Sequence, residues 1–110
     1  MNVEEIARAI LRQTDHVSAY DDMRLDLLDC AVRYASLRVK WALADHEGRA
    51  AMDEERTRAH NVFIDSCNIL SRAMARNGHD TTWRADAGNN RAAIGDVACH
   101  LHCLLALSAR

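Results

Sequence analysis

From Leu25 to Ala42 the apolar residues Leu25, Leu28, Val32, Ala35, Val39 and Ala42 step by three and four without a break. That is the helical period, and it keeps one face apolar for about five turns. The 110 residues contain no proline and only four glycines, so little in the chain cuts such helices short. The sequence predicts an all-α protein.

Local signals place the helix ends. Asn2 with Glu5 three residues on has the form of a capping box. The first helix then carries Val3, Ile6, Ala7, Ile10 and Leu11 on one stripe, and "TDHVS" reads as a bend. The second helix covers about Asp21 to Ala44, and "DHEGR" reads as a connection. A third helix runs from about Met52 to Arg76, with Ala59, Phe63, Ser66, Leu70 and Ala73 on its seam. Asn77 and Gly78 tolerate the left-handed backbone that closes helices. His79 to Gly88 is the longest irregular stretch, after which Asn89 or Asn90 caps a fourth helix reaching close to Arg110. About four helices with short links imply antiparallel neighbours, hence one bundle domain over residues 1–110. Aromatics are only 5%, so Leu, Ile, Val and Ala are expected to fill most of the core.

A net charge of −2 gives no concentrated basic surface, so no nucleic-acid partner is expected. All basic residues but Lys40 are arginine, and their scatter along the chain reads as codon bias rather than anion recognition. The N-terminal stretch has acids where a signal peptide needs bases, and no run approaches the roughly 18 apolar residues of a membrane span. No membrane partner is expected. Four cysteines in such a context read as reduced thiols, which points to the cytoplasm.

The hexapeptide "ACHLHC" at 98 to 103 raises the question of a metal. On a helix Cys99 and Cys103 share a side, but His100 and His102 point about 160° apart and cannot converge on one ion. No metal and no cofactor are expected. The core face of this last helix is Ile94, Val97, Ala98, Leu101, Leu104 and Leu105, while its back is Ala92, Gly95, Cys99, Cys103 and Ala106, all small. A helix apolar nearly all round is expected to be covered nearly all round.

The second helix repeats the excess. Its polar residues Asp22, Asp26, Asp29, Arg33, Ser36 and Lys40 form one narrow stripe, acids first and bases last. Met23, Leu27, Cys30, Tyr34, Leu37 and Trp41 widen the apolar arc to roughly 240°, where a lone bundle needs only somewhat over 100°. The sequence therefore predicts a homodimer, with a different protein partner as the next possibility.

The polar residues left over form a candidate ligand site. Asn61, Asp65, Asn68 and Arg72 lie on one stripe of the third helix with His60 at its margin. Trp83 and Arg84 lie in the irregular stretch, where binding residues often sit. Arg91, with Asn90, stands at the head of the last helix, where anions are favoured. Asp96 is the one charged residue between Ala92 and Ala109, and Arg84, Arg91 and Arg72 are its expected partners. A solvated stripe is the plainer reading of the third-helix set.

"AHNVFIDSCNILSR", "WR" and "IGDVACHLH" resemble a family of small uncharacterised bacterial proteins described as a domain of unknown function. The likeness spans roughly residues 59 to 110, with Val97 standing where an aromatic is expected. It implies a bacterial cytoplasmic protein and brings no activity with it. The leading expectation is a non-enzymatic homodimeric interaction or scaffold module. The alternative is a small-ligand-binding protein or enzyme built on the polar set.

Overall fold

A computed structural model describes residues 1–108. Among these there are five α-helices and one 3-10 turn, and no strand. Helix α1 spans Val3–Thr14, where Asn2 Oδ1 accepts the Glu5 amide at 2.8 Å. At its other end the Thr14 hydroxyl donates to the Ile10 carbonyl at 2.7 Å, and Arg24 donates to the Leu11 carbonyl at 3.1 Å. The bend follows, with His16 at φ 58° and a 3-10 turn over Ser18–Tyr20.

Helices α2 (Asp21–Leu43) and α3 (His46–Arg76) form a long antiparallel hairpin. The expected connection "DHEGR" is helical instead. Asp45 Oδ1 accepts the Gly48 amide at 2.8 Å, so α3 starts six residues before Met52 and only Ala44 and Asp45 make the turn. Arg49 donates to the Trp41 and Ala42 carbonyls at 3.0 and 3.3 Å, sharing the first with the Ala44 amide and meeting in the second an acceptor at the end of α2. Helix α3 closes where expected. Gly78 sits at φ 76°, its amide bonds the Ala75 carbonyl, and the His79 amide reaches back to Met74.

The stretch from His79 to Gly88 also departs from expectation, because it contains a short helix α4 (Thr82–Ala87). Asp80 Oδ1 accepts both the Thr82 amide (2.9 Å) and its hydroxyl (2.6 Å), and these bonds hold the Asp80 carboxyl below its ordinary pKa. Five α-helices thus replace the expected four. Asn90 Oδ1 then accepts the Ala92 and Ala93 amides and opens α5, Arg91–Ser108. The expected end near Arg110 lies outside the described residues.

Helix α2 packs against α3 on one side and α5 on the other, while α1 lies on α5 and α4. The core joins Ile6, Ile10, Leu27, Leu70, Ile94 and Leu101 with Tyr20, Tyr34, Phe63 and Trp83. Few as they are, the aromatics supply the largest fully buried side chains, so the core is less purely aliphatic than the composition suggests. Tyr20 also ties the hairpin's base, its hydroxyl lying 2.7 Å from His79 Nδ1 and accepting from Asn77 Nδ2 at 3.2 Å. Beyond the core, no residue from Arg38 to Ala59 is buried, and this arm gives the molecule its elongated 47 × 31 × 25 Å shape.

Candidate functional site: the outer faces of α2 and α5

The fold uses a different arc of α2 from the one its heptad spacing singles out. Leu27, Ala31 and Tyr34 point into the core, flanked by Leu37. The Leu25–Ala42 seam is centred roughly 100° further round. Its inner edge, Leu28 and Ala35, is buried by the chain's own packing, and Val32 is half-buried. Leu25 and Val39 are 66% and 56% exposed, and Ala42 is exposed too. The residues read as the core-facing seam therefore straddle the rim of the core and look outward.

Helix α5 behaves alike. Ile94, Val97, Ala98 and Leu101 are buried, whereas Ala92, Cys103 and Ala106 on the small back are exposed. Within one chain that back is covered only near Gly95 and Cys99. The cover is Arg38 of α2: a Cβ on Gly95 would come within 2.8 Å of its guanidinium. Arg38 goes on to pair with Asp96 at 2.7 Å and approaches Cys99 Sγ at 3.9 Å. Asp96 is thus satisfied by Arg38, not by Arg84, Arg91 or Arg72. Only a residue that can cross the small back reaches it, and Gly95 opens that route.

The remaining members of the polar set do not gather. Asn61, Asp65 and Arg72 lie on the exposed stripe of α3. His60 is buried, with Nδ1 3.3 Å from Asn61 Oδ1 and its ring edge-on to Tyr34 at 5.6 Å; Nε2 has no partner among the described residues. Trp83 is a core residue that anchors α4. Asn68 does meet Arg84, accepting from its Nε at 2.7 Å. Arg84 spends its other nitrogens on the Gly88 carbonyl (2.8 Å) and Asn89 Oδ1 (2.7 Å). That trio clamps the α4–α5 link to α3 and leaves the guanidinium occupied. Arg91 stands apart, donating to Thr57 at 3.1 Å.

The cysteines are free thiols. Burial pushes the Cys67 thiol up to about 12, so it is inert in the fold. His100 Nδ1 lies 3.2 Å from the carbonyl of Asp96, and among the described residues no three His, Cys, Asp or Glu side chains group as a metal site. No described helix is long and apolar enough to cross a membrane.

Fold and surface define an all-helical bundle with an outward heptad seam. No protein-family model, curated protein or solved structure matches the chain.

Proposed function

We propose that the protein is a non-enzymatic interaction module that works as a homodimer, α2 packing antiparallel on α2 of a second copy. The observation that carries this is the seam. Leu25, Val32 and Val39 repeat every seven residues beside the buried Leu28 and Ala35, and on the folded bundle Leu25, Val39 and Ala42 are open to solvent with Val32 half-buried between them. Soluble chains rarely leave such rows bare.

Charge selects both the occupant and its direction. The exposed residues beside the seam are Asp22, Asp26 and Asp29 in the first half of α2, then Arg33 and Lys40 in the second. A two-fold axis near Val32 sets each acidic half against the partner's basic half, whereas a parallel pair sets like charges together. The small back of α5 borders the same surface through Arg38 and lets a neighbouring chain approach closely. Free thiols suit a role in a reducing cytoplasm.

Sedimentation equilibrium tests the reading. Wild-type protein at micromolar concentration should show twice the 12.3 kDa chain mass, and Leu25→Glu/Val39→Glu should show 12.3 kDa with unchanged helical circular dichroism. A wild-type monomer, or a variant that still dimerises, contradicts it.

A further inference from the structure

Arginines scattered along the sequence meet at the head of α5. There a hollow of about 370 Å³ is lined by Tyr34, Arg38, Trp41, Arg56 and Arg91, drawn from α2, α3 and α5. Tyr34 lines this hollow although it is only 1% exposed, and its hydroxyl has no hydrogen-bond partner among the described residues. Burial pushes the Tyr34 pKa up, while Arg91, Arg56 and Arg38 act against that shift, so all three cations lie within electrostatic reach of the phenol.

Arg56 is held in place by Trp41, its guanidinium carbon 4.2 Å from the ring centroid. Its buried Nε has no acceptor among the described residues. Arg38 is balanced by Asp96. Arg56 and Arg91 have no carboxylate partner among the described residues, and Arg91 bonds only the neutral Thr57 hydroxyl. Two uncompensated cations, an idle phenol donor and an unmet N–H converge from three helices. A planar carboxylate has two oxygens to offer them, whereas a tetrahedral phosphate has at least three and a matching double charge.

We propose that this hollow binds a phosphate group, either free or carried on a small phosphate monoester. The hollow touches the end of the Leu25–Ala42 seam at Ala42, yet its polar groups all come from one chain, so anion titration and sedimentation test the site and the dimer separately.

Calorimetric titration of the full chain with sodium phosphate, sodium acetate and sodium chloride at matched ionic strength tests it. Phosphate should bind saturably, and Arg91→Gln, at an exposed position that leaves the core intact, should weaken binding about tenfold or more. Tyr34→Phe should weaken it too without changing the sedimentation mass. A monoester such as glycerol phosphate binding more tightly than phosphate assigns the site to a phosphorylated metabolite, and equal or weaker binding assigns it to the free ion. Equal heats from acetate or chloride, or an Arg91→Gln titration that matches wild type, overturn the proposal.

Discussion

The two apolar arcs of α2 are close in composition and opposite in fate. Leu27, Ala31 and Tyr34 are enclosed in the core between α3 and α5, while Leu25 and Val39, with the half-buried Val32 midway in a cleaner seven-residue spacing, face outward. Regular spacing shows that a helix has an apolar face. It does not show whose atoms cover that face. On our account the first arc stabilises the monomer and the second assembles it.

The arcs should separate most sharply under truncation. Leu27→Ala removes a fully buried side chain and should cost about 3 kcal/mol in urea unfolding. An equal loss from Leu25→Ala in dilute, monomeric protein would erase the distinction. Val32→Ala, on the outer row, should loosen the dimer by about 1 kcal/mol. Measured well below the dimer dissociation constant, it should change monomer stability by only about 0.5 kcal/mol.

Charge effects should be smaller still. Lys40→Glu should weaken self-association by less than about 1 kcal/mol, with a loss that shrinks in high salt, and adding Asp26→Lys should restore part of it. Unchanged salt dependence in the single variant would remove the argument for an antiparallel pair. The thiols report the same contrast with no change in stability. At pH 8, far below the Cys67 pKa of about 12, iodoacetamide should leave Cys67 unmodified in the native fold. Exposed Cys103 should label, and more slowly as protein concentration rises into the dimer range.

Signals confined to a few neighbouring residues were legible in the sequence. Asn2, Asn90 and the Asn77–Gly78 pair cap the helices they were expected to cap, because a cap depends on side chain and amide groups two or three positions apart. Two local signals were present but outweighed. Gly48 argued for a loop although Asp45 was placed to cap a helix through it. In "DTTWRADA" only Trp83 and Ala87 share a buried face, too short a period to mark α4 against its polar surroundings.

Contacts between distant segments were not legible. The Arg38–Asp96 pair joins residues 58 positions apart across Gly95, and neither residue marks the other. The convergence of Arg38, Arg56 and Arg91 is of the same kind, since linear scatter says nothing about where three helices bring their guanidinium groups. The polar set on α3 kept its predicted periodicity, yet Asn61, Asp65 and Arg72 face solvent, Asn61 meets only its neighbour His60, and only Asn68 found a partner from another helix.

Lys40 is the chain's sole lysine, which makes the antiparallel pairing directly readable. A zero-length carbodiimide couples an amine only to a carboxylate already in contact with it. Applied to an equal mixture of 14N- and 15N-labelled protein, it should yield mixed-isotope peptides joining Lys40 of one copy to Asp22 or Asp26 of another. Lys40 coupled only within its own chain, or no mixed-isotope product at micromolar concentration, would contradict the pairing of α2 across a two-fold axis.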